Sequence, residues 1–530
     1  MRFHLWLGFV IAIFAGGSAA IGEPLSLHER IDGIISTANL EANQPVAGLA
    51  DDAEFFRRVN LDLSGVVPTA KAVQAFLSDN DPGKRTKIID RLLSDSDNYS
   101  RRMREEFHVQ LMERRGDDKT WETWLEKSFA ENKPWDQMTR EIIRADFRDE
   151  PNRGAAFFYT KRLQKTGAQP TDHSGVTRDV GRLFLGIDLQ CAECHNHRLI
   201  DDYDQVDFQG LFAGFSKLKL LNEPYPAVEE QLLSAKQEYA SVFTGVPREV
   251  APKVPGFDEI ELAVFTKGEE YIQPPDRKTK TPGIPKFSPL AGFAKLIPES
   301  PNFSKNITNR LWYLMMGRGL VEPLDQFHSE NPPSHPELLD IMAQELTAHQ
   351  YDIKWLIREL ALTQTYQRSS KLPEGVTSAP PERFSVAVQR RLSAEQLLWS
   401  TIRATGHTPE DVPLENIKAE QKDAEDFIGL RSRFASAFAN EPKEPEREFS
   451  PSVKGALFMM NDPEVLKLVE SMSDREVTVE NLYLQIFSSY PDAAELAEGT
   501  QYLDKAANRK AALRDLAWAM LTSTEFVVNH

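Results

Sequence analysis

The only two cysteines of this 530-residue chain lie three positions apart, and a histidine directly follows the second one. They stand in the segment Cys191-Ala192-Glu193-Cys194-His195. This CxxCH spacing is typical of c-type haem attachment, since two thiols so placed can each form a thioether with a vinyl group on one edge of the porphyrin. The adjacent imidazole can then bind the iron. We therefore predict that Cys191 and Cys194 hold haem c covalently and that His195 is an axial ligand of its iron.

Two other uses of the cysteine pair remain open. Cys191 and Cys194 could form a disulfide or a redox-active dithiol, but neither gives a role to His195. They could also bind zinc together with His195 and His197, although such closely spaced ligands are more crowded than the separated pairs of most zinc sites. We favour haem c because it gives each of the three motif residues a distinct role.

The residue that would bind the iron opposite His195 is not evident from the spacing. His197 is poorly placed, because side chains two residues apart point to nearly opposite sides of a helix. Better candidates in the same part of the chain are His108, His173, Met103 and Met112. For each of these four, the competing interpretation is an ordinary surface histidine or core methionine.

The start of the chain has the pattern of a secretory signal. Residues 1–4 carry positive charge, an apolar run extends from Leu5 to Ala15, and the small residues Ser18 and Ala20 mark a cleavage site. The apolar run is too short to span a bilayer. We predict that residues 1–20 are removed after export, which leaves no integral membrane segment in a periplasmic or extracellular protein. A retained membrane anchor is the alternative.

The net charge of −18 is spread along the chain rather than concentrated in a tail. Such an acidic surface argues against nucleic acid and anionic lipid as partners. It is compatible with a cationic redox partner protein, although an ordinary acidic surface is the simpler interpretation.

Apolar residues recur at helical spacing through most of the chain, often behind a residue that can cap a helix. Thr69 precedes a helical face with Val73 and Phe76, and Ser393 with Gln396 has the spacing of a capping box. Alternation of apolar and polar residues, the mark of half-buried strands, is almost absent. The fold is therefore predicted to be mainly α, with little β structure.

A change of composition divides the predicted helices into two groups. Residues 217–290 are rich in proline, whereas residues 24–216 and 291–530 are not so interrupted. We predict two helical domains, 24–216 with the CxxCH motif and 291–530, joined by a spacer or small subdomain at 217–290. Within this spacer we expect a helix over Gln231–Ser241 and a strand over Ile260–Thr266.

Many segments of the chain resemble, in the same order, a secreted planctomycete-type protein family. This family pairs a cytochrome-like CxxCH domain of unknown function (PSCyt type) with a second domain of unknown function (PSD type). The segments that carry the resemblance include FFRRVNLDLSGVVPTAKAVQAFL (55–77), RLFLGIDLQCAECHNH (182–197), DFQGLFAGF (207–215), ITNRLWYLMMGRGLVEPLDQF (307–327) and YDIKWLIRELALTQTYQRSS (351–370).

The resemblance implies export and a CxxCHxH motif, but it implies no substrate. Family members usually have proline after the second histidine, where this chain has Arg198. An arginine there could hold a haem propionate or face solvent, and we favour solvent.

The densest family-like segment of the second domain is rich in polar residues, where an Arg–Asp pair could bind a substrate. Buried salt bridges are the more usual role, because no nucleophile, base and orienting group lie close together in sequence. The residues concerned are Asn309, Arg310, Trp312, Arg318, Asp325 and Asn331.

Three functions fit these observations. The first is an exported c-type haem protein that transfers electrons outside the cytoplasm. The second is a haem-dependent enzyme that acts on an extracellular substrate through the 291–530 domain. The third is a non-enzymatic surface or scaffold protein with a Cys191–Cys194 disulfide. We favour the first, while the residues leave open whether the protein is an enzyme.

Overall fold

The computed structural model of the protein describes residues 25–165, 167, 170–221, 227–276, 278, 281–407, 424–441, 453–472 and 477–530, without the side chains of 424–428. The predicted signal segment 1–20 lies outside these residues. Helices dominate the described chain, and its strands form only short two-stranded sheets. This confirms the prediction of a mainly α fold with little β structure. Among the described helices, none is both long and apolar enough to cross a membrane.

The first predicted domain is built from helices whose starts are often capped by side chains. Thr69 Oγ1 accepts the N–H of Ala72 at 3.2 Å, and Val73 and Phe76 are buried as the spacing predicts. Short 3₁₀ helices lie at Glu150–Ala156 and Cys191–Glu193. The α-helices of this region are α1 (Leu27–Glu41), α2 (Asp52–Ser64), α3 (Ala70–Ser78), α4 (Lys84–Ser94), α5 (Ser96–Met112), α6 (Lys119–Ala130), α7 (Trp135–Arg144), α8 (Phe157–Leu163), α9 (His173–Leu185) and α10 (Gln205–Phe215).

The spacer contains three antiparallel hairpins in its described part. Their strands are β1 (Leu218–Leu221) with β2 (Ala227–Glu230), β3 (Gln237–Ala240) with β4 (Pro247–Val250), and β5 (Tyr271–Gln273) with β6 (Ile284–Pro285).

Both local predictions for the spacer are wrong. The expected helix over Gln231–Ser241 contains β3 instead, because the β3–β4 hairpin packs on α10 and this tertiary contact overrides helix propensity. The expected strand over Ile260–Thr266 has no regular structure. The Ile260 side chain instead packs close to Gly292, where an added Cβ would lie 2.6 Å from Ile260 Cδ1.

The second predicted domain is again helical, with a short sheet that pairs its final residues with an internal segment. Ser393 and Gln396 form the predicted capping box at the start of the helix Ala394–Ala404. A 3₁₀ helix at Ile297–Glu299 follows the helix Pro289–Leu296, and another lies at Pro381–Arg383. The remaining elements are α11 (Pro289–Leu296), α12 (Pro301–Met316), α13 (Pro336–Ala348), α14 (Ile353–Leu362), β7 (Arg390–Arg391), α15 (Ala394–Ala404), α16 (Ala424–Phe438), α17 (Val453–Asn461), α18 (Pro463–Met472), α19 (Val479–Ile486), α20 (Ala493–Lys505), α21 (Arg509–Leu521), α22 (Thr524–Val527) and β8 (Val528–Asn529).

The hydrophobic core runs across both predicted domain boundaries. Its largest cluster joins Phe184 of α9 with Trp312 of α12 and Leu356 of α14. A second cluster joins Leu61 of α2 with the C-terminal helices. Arg57 of α2, fully buried, also donates to main-chain carbonyls near the C-terminus. The boundaries at 216 and 291 stay predictions, but the two regions share apolar interiors.

The close approach of two segments in the first domain gives a stability prediction. A Cβ at Gly154 would lie 2.3 Å from the main-chain oxygen of Thr120 in α6. Because backbone must move to relieve this clash, we expect Gly154→Ala to lower the free energy of unfolding by about 2–3 kcal/mol. Gly33→Ala in α1 is the control, since nothing lies within 4 Å of its Cβ position and alanine favours a helix by about 0.5–1 kcal/mol. Urea denaturation checks both, and similar effects at the two sites would contradict the close approach.

Candidate cofactor site

The two cysteines lie on one tight turn between α9 and α10. Cys191 begins the 3₁₀ helix Cys191–Glu193, and the N–H of Cys194 donates to the carbonyl of Cys191 at 3.3 Å. Both thiols are free, and both residues are exposed to solvent. The turn therefore presents two thiols of one short segment to an incoming group.

The segment that leads into this turn is fixed by the second domain. Helix α9 ends at Gly186, which has φ +70°, and an added Cβ there would lie 2.6 Å from Phe327. The N–H of Phe327 donates to the carbonyl of Gly186 at 2.9 Å, and Ile187 forms a bridge with Gln326. Glycine is therefore required here both for its positive φ and for the contact with Phe327.

The backbone of the turn is held by side chains of the flanking helices. Gln209 of α10 donates to the carbonyl of Glu193 at 2.9 Å, and Gln205 donates to the carbonyl of Ala240 at 3.3 Å. Arg178 of α9 binds the Glu193 carboxylate at 2.9 Å. Sequence reasoning missed these two glutamines. Their spacing of four residues, which places them on one face of α10, is the signal that could have identified them.

The spacer also contributes to the site, which the sequence did not indicate. After β3 the N–H of Val242 donates to the carbonyl of Cys194 at 3.1 Å. The neighbouring Phe243 ring lies 4.7 Å from the His195 ring, centroid to centroid. Arg198 places its guanidinium carbon 4.3 Å from the Phe243 centroid, so it packs on an aromatic face beside the motif.

The His195 ring is oriented by a hydrogen bond to the neighbouring main chain. Its Nδ1 lies 2.6 Å from the carbonyl oxygen of Asn196. A carbonyl only accepts, so Nδ1 carries a proton, and in the neutral ring Nε2 keeps its lone pair. Metal-binding histidines commonly use this second-shell hydrogen bond to set their tautomer and ring orientation.

His197 has the opposite arrangement. Its Nδ1 accepts the N–H groups of Leu199 at 3.2 Å and Ile200 at 3.0 Å, so in the neutral ring the proton is on Nε2. Its main chain donates to the carbonyl of Tyr203 at 2.9 Å. The ring therefore stabilises its own loop.

The other four candidates for the second axial position have hydrogen-bond partners or core packing of their own. His108 accepts from Trp121 Nε1 at 3.0 Å, and His173 Nε2 lies 2.9 Å from the carbonyl oxygen of Leu218. Met103 and Met112 are buried in the core. Across the described residues, no three His, Cys, Asp or Glu side chains converge as a metal cluster would require.

The polar residues singled out in the second domain mainly hold its backbone. Asn309 donates to the carbonyl of Val321 at 2.8 Å and accepts the N–H of Leu320 at 2.7 Å. Asn331 donates to the carbonyl of Gln326 at 2.9 Å, and Trp312 is buried in the core.

One ion pair of this segment joins it to the first domain. Asp325 lies 3.4 Å from Arg182 of α9, and Arg310 donates to the main-chain oxygen of Arg182 at 3.1 Å. Arg318 has a buried Nε without a hydrogen-bond partner. Most of these residues therefore form salt bridges or hydrogen bonds to the backbone.

The exposure of the cysteines gives a direct prediction for the protein before any group is attached. Both thiols should react with Ellman's reagent in the folded chain, because both residues are exposed and free. We expect rates within about threefold of those in urea, since folding does not hide either residue from the reagent. The test uses protein made in a reducing cytoplasm without residues 1–20. Reaction only after unfolding would contradict this geometry.

Comparison with protein families identifies both halves of the chain. Residues 30–219 match the PSCyt2 model, a protein of unknown function (DUF1549), and residues 291–503 match the PSD1 model, a protein of unknown function (DUF1553). Neither the curated proteins nor the solved structures gave a match. The two matches follow the order that the resemblance implies and leave the spacer between them. The chain therefore belongs to the family of proteins that pair a PSCyt2 domain with a PSD1 domain.

Proposed function

We propose that the protein is an exported c-type haem protein that transfers electrons outside the cytoplasm. The observation that carries the proposal is the CxxCH turn with two exposed thiols, followed by His195 with Nδ1 bound to the carbonyl of Asn196. Haem c, when bound, supplies an iron centre that takes up and releases single electrons. Cys191 and Cys194 hold the group covalently, and His195 Nε2 binds the iron.

The surroundings of the turn fit a large apolar group. Val242 and Phe243 are 68% and 58% exposed, and Leu199 is 82% exposed. Apolar side chains gathered at one exposed place usually mark a binding surface. A porphyrin that covers them removes apolar area from water, which stabilises the attached state by about 25 cal/mol per Å². These residues thus support a flat apolar ligand beside the cysteine turn.

The exposed position of the turn supports exchange with a partner protein. Electron transfer between proteins requires the cofactor to come near the surface, and both attachment residues lie there. The net charge of −18 favours a cationic redox partner, because opposite charge speeds encounter. Residues 1–20 direct the chain to the periplasm or beyond, where c-type haem is attached.

Mass spectrometry of the exported protein tests the proposal. The full chain is expressed with residues 1–20 in a host that has a cytochrome c maturation system. We expect the polypeptide mass plus one haem after denaturation, together with a Soret absorption band. The same chain without residues 1–20 is the control and should lack the haem mass. A bare polypeptide mass would overturn the proposal, and a mass lower by two protons would support the scaffold alternative with a disulfide.

A further inference from the structure

A second candidate site lies between the two domains, apart from the cysteine turn. It is a cavity of about 530 Å³, which we call the interdomain cavity. Helices α5 and α9 line it from the first domain, and helix α12 and residues 388–396 line it from the second. Ligand sites of this size commonly form between domains. The volume is sufficient for a small organic ligand.

The charges around this cavity are balanced and paired. Five arginines and five carboxylates line it. On the side of the first domain, Glu113 lies 2.6 Å from Arg182, and Glu106 lies 3.0 Å from Arg102. Each carboxylate there already has a cation beside it. The wall therefore has little net charge to attract an ion.

Ion pairs that join the two domains complete the lining of the cavity. Asp62 lies 2.6 Å from Arg390, and Glu395 accepts two hydrogen bonds from Arg114, at 2.5 and 3.0 Å. Burial raises the pKa of Glu395, but the charge and hydrogen bonds of Arg114, together with the charge of Arg431, lower this pKa to about 2. The pair therefore stays ionised at neutral pH, and a charged ligand would have to compete with it.

An uncharged ligand with several hydroxyl groups avoids this competition. A guanidinium has five N–H donors and a carboxylate about four acceptor sites, so a paired Arg–carboxylate still has positions for further hydrogen bonds. Hydroxyl groups both donate and accept hydrogen bonds, so they suit a cavity wall that contains both guanidinium donors and carboxylate acceptors. Asn529 adds a buried acceptor, since its Nδ2 donates to Asp62 at 2.8 Å and its Oδ1 has no hydrogen-bond partner.

We infer that the interdomain cavity binds an uncharged, polyhydroxylated ligand, with a short oligosaccharide as the representative class. The site is separate from the cysteine turn, and it does not depend on haem attachment. It uses residues of both domains, which gives a reason for the two to occur in one chain.

Isothermal titration calorimetry on the full mature chain tests the ligand class. The neutral probes are cellotriose, xylotriose and maltotriose, and the charged probe is trigalacturonic acid. We expect saturable binding of at least one neutral probe, and binding of the charged probe at least tenfold weaker. No binding of any neutral probe, or equal binding of the charged one, would overturn the inference.

Two variants locate the binding in the cavity. Val109→Trp adds an indole to the cavity wall and should abolish binding of the neutral probe. Gln110→Leu removes a polar side chain that lines the cavity and donates to Glu106 at 2.9 Å, and should weaken binding about tenfold.

The matched control for the glutamine variant is Gln137→Leu, which removes the same kind of helical Gln–Glu bond, at 3.1 Å to Glu141, on an exposed surface. It should leave probe affinity unchanged. Thermal melts confirm that each protein is folded, and Gln110→Leu remains informative if Val109→Trp fails to fold. Affinity unchanged in Gln110→Leu, or lowered equally in Gln137→Leu, would show that the probe binds elsewhere.

Discussion

Replacing both Cys191 and Cys194 with alanine is expected to remove all covalently bound haem from the exported protein. The chain has no other cysteine, so no other thiol can form a thioether. Because both residues are exposed, the free energy of unfolding of the cofactor-free chain should change by no more than about 0.5 kcal/mol. Mass spectrometry and urea denaturation measure the two effects. Haem mass retained in the double variant would contradict the proposed attachment.

His195→Ala separates attachment from iron binding. Both thiols remain, so the thioether mass should largely persist where the maturation system accepts the altered motif. The absorption spectrum should change, because the iron loses the imidazole that we propose as its ligand. His349→Ala is the control, since this ring stacks on Trp355 in another part of the fold. An identical spectrum for His195→Ala and the wild-type protein would refute the role of His195.

Asp179→Ala is expected to destabilise the protein by about 3–5 kcal/mol, which is the largest stability effect that we predict. Asp179 in α9 binds Arg162 at 2.6 Å, Arg115 at 2.9 Å and Arg182 at 3.0 Å. Its side chain is only 9% exposed, so its removal leaves buried positive charges without their common partner.

The control for this variant is an exposed ion pair of similar geometry. Asp136 binds Arg140 one helical turn away at 2.5 Å, with side chains 25% and 41% exposed. Asp136→Ala should cost less than about 1 kcal/mol. Urea denaturation compares the two variants. Equal losses in the free energy of unfolding would show that the buried ion pairs of Asp179 stabilise the protein no more than an exposed pair does.

The Asp179 carboxylate also makes the free energy of unfolding depend on pH. Burial raises the pKa of Asp179, but Arg162, Arg182 and Arg115 together lower it from 3.8 to about 2. A carboxyl group with a lowered pKa in the folded state stabilises the protein above its unfolded pKa, and this stabilisation is lost as pH falls towards the folded pKa. The free-energy difference between wild type and Asp179→Asn should therefore narrow by roughly 2 kcal/mol between about pH 5 and pH 2. A constant difference over this range would contradict the pairing.

Local features of the fold followed from the sequence. Thr69 and Ser393 mark helix starts because a capping side chain bonds to an N–H only two or three residues ahead. The chemistry proposed for Cys191, Cys194 and His195 likewise follows from residue type and a spacing of a few positions. These features depend only on residues a few positions apart, so they can be predicted before the path of the chain is known.

Contacts between distant segments were decided only by the tertiary structure. The hairpin of β3 and β4 forms where a helix was expected, because its packing on α10 outweighs local propensity. That packing places Phe243 beside His195, although 48 positions separate them in the sequence. Nothing in the residue order of a proline-rich spacer specifies which surface it will meet.

The interdomain cavity shows most clearly which contacts the sequence could not predict. Glu395 and Arg114 form a bidentate pair although they are 281 positions apart, and Asp62 meets Arg390 across a similar separation. The sequence by itself determined the helical class and the family, and it predicts the chemistry of the cysteine motif. The shared core, the surroundings of His195 and the interdomain cavity required the folded chain, because burial and pairing depend on which distant groups exclude water from one another.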